Sequence, residues 1–428
     1  MLIQFNFSNF RSFKNDTSLD LSATRISELP SHVIETGGDK VLTFSAIYGA
    51  NASGKSNVYK AFEFMSKYVI NSFSYGGDSD NDNDEKIKKQ TAEPFLFNKE
   101  SVNEPSSFEV FFTDSDDPHE KVYQYGFLLE KNDILEEWLY SKAKTAREYR
   151  TIFYRKRGEP LQADGLSEKD EDLISVALEK ETLIVSLGSK LKIKKLKFVR
   201  EWFLKNEILD YGNPRENYVV SHILPTDFDH DKNAQQDVVR FLSTFDESIK
   251  DFKVEAIPDS DKEGTYYSVR TVHKVEDDSS YTSIALEDES SGTLKMFSLY
   301  PFIKDVFNRG SVLFVDELNS RLHPLLVRNI ILAFANKRIN TKHAQLIFTS
   351  HDLSQFSNDI LRRDELWVTE KNRQQESELY SIVDFKDPNG NKTRKDEALS
   401  KHYLYGEFGG IPSLSPFEVL THKGERDG

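Results

Sequence analysis

A glycine-rich loop near the start of the chain constrains the fold more than any other feature. It consists of Gly49, Ala50, Asn51, Ala52, Ser53, Gly54, Lys55 and Ser56. An apolar run over residues 41–48 precedes the loop, and afterwards Val58, Phe62 and Met65 recur at helical spacing. A strand, a loop of the pattern G-x-x-x-x-G-K-[ST] and a helix, in this order, form the context in which this motif cradles phosphate. The flanking elements make a chance glycine turn the weaker interpretation.

The residue types in this loop suit the phosphates of a nucleotide. Glycines let backbone N–H groups curl around phosphate oxygens, and the start of the helix adds the positive end of its dipole. Lys55 is expected to reach the β- and γ-phosphates, and Ser56 is expected to bind Mg²⁺. The predicted ATP-binding residues of this region are Gly49, Asn51, Gly54, Lys55, Ser56 and Asn57.

Two apolar runs later in the chain end in polar residues. Residues 312–315 lead into Asp316 and Glu317, and residues 346–349 end shortly before His351. A carboxylate delivered by a buried strand to a phosphate site helps to hold Mg²⁺, which is the role predicted for Asp316. Glu317 is predicted to activate the attacking water as a general base. His351 is predicted to hydrogen-bond the γ-phosphate or that water.

A second serine- and glycine-containing segment precedes a predicted helix that starts near Leu294. Ser290, Ser291 and Gly292 form this segment. Hydroxyl groups at a helix N-terminus make an anion site. Because the glycine-rich loop already fills that role, we expect this segment to contact the γ-phosphate held by another subunit. An ordinary serine-rich N-cap is the alternative.

Composition limits the classes of function. The chain has 428 residues, which predicts two or three lobes, and its net charge of −15 argues against non-specific coating of nucleic acid. The absence of cysteine excludes thiolate zinc sites and disulfides and favours a cytoplasmic location. No apolar run reaches the length of a bilayer-spanning helix, so no membrane contact is expected.

The predicted fold is α/β, with a P-loop core, an antiparallel β subdomain and a helical insertion. Residues 1–160 form an N-terminal ATPase lobe with the β subdomain, and residues 161–250 form the helical insertion. Residues 251–390 form a C-terminal ATPase lobe, and residues 391–428 form a tail. No heptad pattern persists over three or four repeats, so long coiled-coil arms are not expected.

A cluster of basic residues lies within the helical insertion. It consists of Lys190, Lys192, Lys194, Lys195, Lys197 and Arg200. Because an apolar stripe runs between these residues, we favour an amphipathic helix with a solvated basic face. Contact with DNA or with an acidic partner is the sharper alternative.

Taken in order, these motifs resemble those of the ABC-type ATPases of the SMC and RecF group. Ser290 and Gly292 match the serine and second glycine of the signature motif of this group, whereas Ser291 replaces the first glycine. Asn319 and Ser320 resemble its D-loop.

Two further positions belong to the same resemblance. The segment 9–13 is similar to the opening of this group, which implies that Arg11 lies near the nucleotide. The glutamine of the Q-loop has no clear match, and Gln90 is a candidate only by its location.

A closer resemblance is to compact ATPases of the AAA-15/AAA-21 group from bacterial defence loci, including RloA, AbiL-type and PARIS-type proteins. The stretches that carry it are 94–96, 107–112, 123–127 and 405–412. This resemblance implies a homodimer or higher homo-oligomer that senses phage infection. It also implies control of a separately encoded effector, such as a nuclease, a Toprim protein or a toxin-like protein. The alternative is a RecF-like DNA-binding repair ATPase.

Overall fold

The computed structural model describes residues 1–75, 89–258, 265–276, 280–386 and 398–412. The strands are β1 (Leu2–Ser8), β2 (Thr17–Asp20), β3 (Val33–Thr36), β4 (Asp39–Leu42), β5 (Phe44–Gly49), β6 (Ser106–Thr113), β7 (Val122–Glu130), β8 (Asp133–Lys142), β9 (Arg150–Lys156), β10 (Glu207–Asp210), β11 (Ile249–Pro258), β12 (Thr265–Lys274), β13 (Tyr281–Ala285), β14 (Val312–Asp316), β15 (Gln345–Thr349), β16 (Leu366–Lys371) and β17 (Ser377–Ser381).

The α-helices lie between and after these strands. They are α1 (Lys55–Asn71), α2 (Glu168–Ala177), α3 (Ile184–Lys190), α4 (Lys194–Lys205), α5 (Pro214–Ser221), α6 (Lys232–Leu242), α7 (Ser291–Arg309), α8 (Pro324–Ala335) and α9 (Leu399–Leu404). The longest helix in the part of the chain that the structure describes is α7, with 19 residues. No helix in the described ranges is both long and apolar enough to cross a membrane.

An antiparallel sheet confirms the predicted β subdomain. Its strand order is β2-β1-β6-β7-β8-β9. Alternate residues of β6 are buried, as expected for a strand with one face on the core. Phe62 of α1 packs edge-on against Phe5 of β1 at 5.3 Å, and Trp202 of α4 lies 4.5 Å from Phe112 of β6. The sheet therefore packs against the helix that follows the glycine-rich loop.

The second large sheet forms the P-loop core. Its order is β10-β14-β15-β5-β16-β17, and all neighbouring pairs are parallel except β16–β17. Every residue of β5, β14 and β15 is buried, as is typical of a parallel sheet covered on both faces. The carboxyl ends of neighbouring parallel strands lie at one edge, which is where α/β proteins bind ligands. The α/β prediction is confirmed.

Side chains of β14 alternate between the two faces of this sheet. Phe314 points to the cluster that contains α1, whereas Leu313 and Val315 point to the cluster that contains α7 and α8. Phe314 stacks edge-on against Tyr59 of α1 at 5.5 Å. The strand that carries the two predicted catalytic carboxylates is therefore fixed from both sides.

Strand β10 lies inside the stretch that was expected to be helical. It joins the parallel core next to β14, with Asp210 opposite Asp316. The strand is short, with the sequence EILD, and its apolar pair does not stand out within a helical context. A further antiparallel sheet, β11-β12-β13, follows the insertion and packs through Phe252 against Phe297 of α7.

The C-terminal segment is more ordered than a polar loop. Within the predicted tail, α9 ends at Leu404, and Tyr403 and Phe408 are buried against Phe356. The aromatic residues explain the difference, because each buries a large apolar surface. Most of the predicted tail 391–428 lies outside the described residues.

Candidate functional site

The glycine-rich loop connects β5 to α1 and is tightly packed. Gly54 has a φ of 119°, which favours glycine, and a Cβ at that position would lie 2.6 Å from the Ser377 hydroxyl oxygen. A Cβ at Gly49 would lie 2.4 Å from the Thr369 hydroxyl oxygen. Both glycines of the motif are therefore required by close contacts with the neighbouring strands β16 and β17.

Lys55 lies across the loop that precedes it. Its Nζ donates hydrogen bonds to the carbonyl oxygens of Gly49 at 2.8 Å and Ala50 at 3.1 Å. Burial lowers the pKa of Lys55, while the carboxylates of Glu317 and Asp316 act in the opposite direction. The ammonium group thus sits at the loop, with its charge facing the two carboxylates at the end of β14.

Asp316 is buried at the end of β14 and is held by two hydroxyl groups. Thr349 Oγ1 donates to Asp316 Oδ1 at 2.5 Å and accepts a hydrogen bond from the Glu317 backbone N–H at 2.9 Å. Burial raises the pKa of Asp316, and hydrogen bonds from Thr349 and Ser56 oppose this effect. Ser56 and Asp316, predicted to bind the same Mg²⁺, line the same cavity.

Glu317 follows Asp316 and turns towards the next strand. Its φ of 55° lies in the left-handed region, which a residue other than glycine adopts only when its surroundings hold it there. His351 Nδ1 lies 2.8 Å from Glu317 Oε2, and Asn319 Nδ2 lies 3.3 Å from His351 Nε2. The histidine thus connects the general-base candidate to the D-loop candidate Asn319.

These groups line a cavity of about 520 Å³. Its lining residues are Asn51, Ser56, Asp210, Gly212, Asn213, Asp316, Glu317 and His351. The structure therefore brings predicted residues from three separate strand ends to one place. The cavity lies at the carboxyl edge of the parallel sheet, which is the geometry expected of a phosphate site.

Three of the lining residues were not predicted from the sequence, namely Asp210, Gly212 and Asn213. Of these three, Asp210 is charged. Asp210 accepts a hydrogen bond from the Asn213 backbone N–H at 2.9 Å and forms an ion pair with Lys60 at 3.0 Å. A usable signal was present, because residues 208–210 repeat in short form the apolar run and aspartate found at 312–316. Gln90 is not among the cavity residues.

Of the residues predicted to bind ATP, five are not among those that line this cavity: Arg11, Gly49, Gly54, Lys55 and Asn57. Arg11 forms an ion pair with Glu93 at 3.1 Å, and Asn57 donates from Nδ2 to Ser12 Oγ at 2.7 Å. Asn57 thus joins α1 to the segment 9–13.

The serine-glycine segment begins α7 and lies apart from the cavity. Ser290 is the N-cap of the helix, and its Oγ accepts a hydrogen bond from the Thr293 backbone N–H at 3.1 Å. Ser291 lines a different cavity of about 220 Å³, together with Lys295 and Arg321. Ser290, Ser291 and Gly292 do not line the 520 Å³ cavity of the same chain.

Most of the basic cluster is engaged within the chain. Lys190 Nζ and Arg200 Cζ lie over the Phe73 ring, 4.1 and 5.3 Å from its centre. Lys197 forms an ion pair with Glu201 at 2.9 Å. Lys195 donates to the Gly165 carbonyl oxygen. Lys192 and Lys194 are exposed.

The residues at the cavity fit a magnesium ion that is shared with a nucleotide. Within the described ranges, no group of three or more His, Asp or Glu side chains is arranged to hold a metal. Mg²⁺ prefers one or two protein oxygens and completes its shell with phosphate oxygens and water. Ser56 Oγ and the Asp316 carboxylate supply such a pair.

The fold and the position of this cavity define a P-loop ATPase core. Residues 44–355 match the family described as "AAA domain, putative AbiEii toxin, Type IV TA system". The chain belongs to this family, which confirms its predicted place in the AAA-21 group. No protein of curated function matches the sequence significantly.

Two solved structures are similar to this chain. The Smc head bound to the C-winged helix domain of ScpA is 12% identical over 89% of this chain and 97% of that chain, with a TM-score of 0.39. The Smc head with an extended coiled coil bound to the C-terminal domain of ScpA, derived from Pyrococcus furiosus, is 11% identical over 89% and 96%, with a TM-score of 0.38. Likeness at this level carries no functional argument.

Proposed function

We propose that this protein hydrolyses ATP in the 520 Å³ cavity and thereby regulates a separately encoded effector of bacterial anti-phage defence. The observation that carries the catalytic part is the Glu317 carboxylate, fixed 2.8 Å from His351 beside Asp316. A carboxylate positioned beside a phosphate site can accept the proton of the attacking water.

Residues of the cavity and of the adjoining glycine-rich loop have separate roles in hydrolysis. Lys55 exchanges the carbonyl oxygens of Gly49 and Ala50 for β- and γ-phosphate oxygens. Ser56 and Asp316 would hold Mg²⁺, which neutralises phosphate charge when bound. Glu317 accepts a proton from water as the water oxygen bonds to the γ-phosphorus. The bond from that phosphorus to the bridging oxygen breaks, and ADP leaves.

A second copy of the chain completes the site in this proposal. Ser290, Ser291 and Gly292 lie at the start of α7, where the helix dipole has its positive end, yet they do not line the cavity of their own chain. A homodimer, or a higher homo-oligomer, lets this segment contact the γ-phosphate held by its partner. ATP then joins two chains, and hydrolysis releases them.

Family membership supports the defence role. The family description names a putative toxin of a type IV toxin–antitoxin system. A nucleotide-dependent change of shape can bias a partner between two states. A nuclease, a Toprim protein or a toxin-like protein encoded beside this chain is the expected effector.

The test of the catalytic proposal compares wild type with Glu317→Gln. The variant should lose about a hundredfold or more in ATP turnover, because the amide cannot accept the proton. It should retain ATP binding and accumulate as an ATP-linked dimer in light scattering. Glu287→Gln, which alters an exposed glutamate, serves as the matched control. Turnover of Glu317→Gln at the wild-type rate would reject Glu317 as the base.

A RecF-like repair ATPase is the second candidate, supported by the exposed Lys192 and Lys194. Mass spectrometry of proteins that co-purify with the tagged chain, expressed with its neighbouring genes, separates the two. A dedicated effector in fixed ratio supports the defence role. Salt-dependent DNA binding without such a partner supports the repair role.

A further inference from the structure

Lys295 is a buried lysine that contacts the turn after β14. It lies on α7, is 6% exposed, and stands five positions after the N-cap Ser290. Its Nζ donates to the backbone carbonyl oxygens of Leu318 at 2.8 Å, Ser320 at 2.7 Å and Glu317 at 3.3 Å. All three donors of the ammonium group are therefore directed at one short backbone segment.

The surroundings of this ammonium group are unusual for a buried charge. Among the residues that the structure describes, none offers it a carboxylate oxygen as a hydrogen-bond acceptor, and its Nζ lies 3.9 Å from the centre of the Tyr211 ring. Burial lowers the pKa of Lys295 to about 7, with Glu317 acting to raise it and Arg321 to lower it. Tyr211 follows Asp210 of β10, so Lys295 contacts elements on both sides of the cavity.

The turn held by Lys295 is conformationally strained. Glu317 and Arg321 both have positive φ values, of 55° and 60°, although neither is glycine. Such residues persist only where the surroundings over-determine the backbone. The convergence of three carbonyl oxygens on one cation supplies that constraint, because the converging dipoles would repel one another without the cation.

We infer that Lys295 is a positioning residue that fixes the turn 317–321 and, with it, the Glu317 carboxylate. Lys295 does so from α7, the helix that begins at Ser290–Gly292. Since α7 begins at the segment proposed to contact the partner's nucleotide, Lys295 also ties that segment to the chain's own cavity. A displacement of α7 on dimer formation therefore moves the backbone of Glu317. This inference rests on the proposed ATPase function.

The test combines kinetics with hydrogen exchange in the full-length chain. Lys295→Met removes the charge and keeps the length of the side chain. We expect its kcat to fall by about tenfold to a hundredfold, since small displacements of a catalytic group have effects of that size. ATP affinity, measured by calorimetry, should stay within about threefold, because no phosphate contact is lost. Lys304→Met, on the same helix and paired with Asp237 at 3.2 Å, is the matched control.

Hydrogen exchange measures the opening of the turn 317–321 and does not depend on ATP turnover. The backbone N–H groups of Leu318, Ser320 and Leu322 are hydrogen-bonded in the wild type. In Lys295→Met these groups should exchange about tenfold faster, whereas those of β15 stay protected. If the wild type binds ATP but does not hydrolyse it, the proposed function fails, and the exchange result alone decides the role of Lys295.

Two results would overturn the inference. One is unchanged kcat and unchanged exchange in Lys295→Met. The other is weakened ATP binding with unchanged kcat, which would make Lys295 a binding residue. If Lys295→Met does not fold, Lys295→Gln is measured in its place, since the amide still donates to two carbonyl oxygens. It is judged by the same two measurements, with a smaller expected change in each, and Lys295→Arg should recover part of the lost kcat.

Discussion

Two buried carboxylates, Glu137 in the antiparallel sheet and Asp316 in the parallel sheet, show how similar burial serves different purposes. Glu137 accepts hydrogen bonds from the Tyr125 hydroxyl at 3.1 Å and from the backbone N–H groups of Ile184 at 2.7 Å and Val185 at 3.3 Å. Arg155 lies 3.9 Å away. Protein groups thus surround Glu137 completely, and it ties the start of α3 to β8.

Asp316 is equally inaccessible yet incompletely surrounded. It is 2% exposed, receives two hydroxyl groups, and still lines the 520 Å³ cavity beside Asp210 and Glu317. The like charges nearby add to burial in raising its pKa. A carboxylate whose partners are all protein groups is structural, whereas one that faces a cavity among other carboxylates needs a cation from outside. The following predictions test this contrast.

The largest effect is expected at the cavity, from Lys55→Ala. Removing the ammonium group should weaken ATP binding by about a thousandfold, which is about 4 kcal/mol, because a charge-assisted contact to two phosphates is lost. Calorimetry with ATP and Mg²⁺ measures this. Lys67→Ala, on the same helix and paired with Glu63, should bind like the wild type. Equal affinity in Lys55→Ala would show that the loop does not hold the phosphates.

Glu137→Ala should act on stability alone. Loss of the carboxylate leaves the buried Ile184 N–H without a partner and removes the counter-ion of Arg155, which keeps its hydrogen bonds to two backbone carbonyl oxygens. The expected cost is about 3 to 4 kcal/mol in the free energy of unfolding. Urea denaturation measures this, with Glu136→Ala as the neighbouring control. ATP affinity should not change in protein that remains folded. A large loss of affinity would mean that the two sheets are energetically coupled.

The pH dependence of stability sharpens the same contrast. Burial raises the pKa of Glu137 from 4.5 to about 7, against the opposing effect of Arg155. Between pH 4.5 and 7 the folded state therefore holds a proton that the unfolded state has lost. The stabilisation of the folded state by this proton is complete below pH 4.5. This stabilisation is lost as the pH rises through 7, which lowers the free energy of unfolding by at most about 3 kcal/mol. Glu137→Gln should flatten the stability curve over this range, and an unchanged slope would contradict the assignment.

Thr349→Val should give a smaller effect, confined to the parallel sheet. The variant keeps the shape of the side chain but removes the hydroxyl that joins Asp316 to the Glu317 N–H. We expect kcat to fall about tenfold, or about 1.4 kcal/mol, because the Asp316 carboxylate and the Glu317 backbone lose their common support. Steady-state ATPase assays measure this. Thr43→Val, whose buried hydroxyl donates to the His32 carbonyl oxygen at 3.0 Å, separates a general loss of packing from loss of this bridge.

Local patterns in the sequence predicted the elements of the cavity because each motif lies directly after its own strand. The glycine-rich loop follows β5, and Asp316 follows the apolar run of β14. Parallel strands bring such ends together without further information. Asp210 was missed because β10 has only four residues and lies in a helical context. The contacts of Lys295 depend on how α7 packs against the turn 317–321, and no local pattern encodes that packing.

The smallest effect is expected from removing Lys192 and Lys194 together. Both side chains are exposed, while Lys190 and Arg200 of the same cluster are held on the Phe73 ring. Lys192→Ala/Lys194→Ala should change the free energy of unfolding by less than about 0.5 kcal/mol, as is usual for surface positions. If the protein has the regulatory role, the wild type and the double variant should bind DNA equally weakly. If the cluster contacts DNA, the slope of log affinity against log salt should become shallower by about 2. That change, seen in a fluorescence titration, would favour the repair role, since two exposed lysines have no other reason to release counterions from DNA.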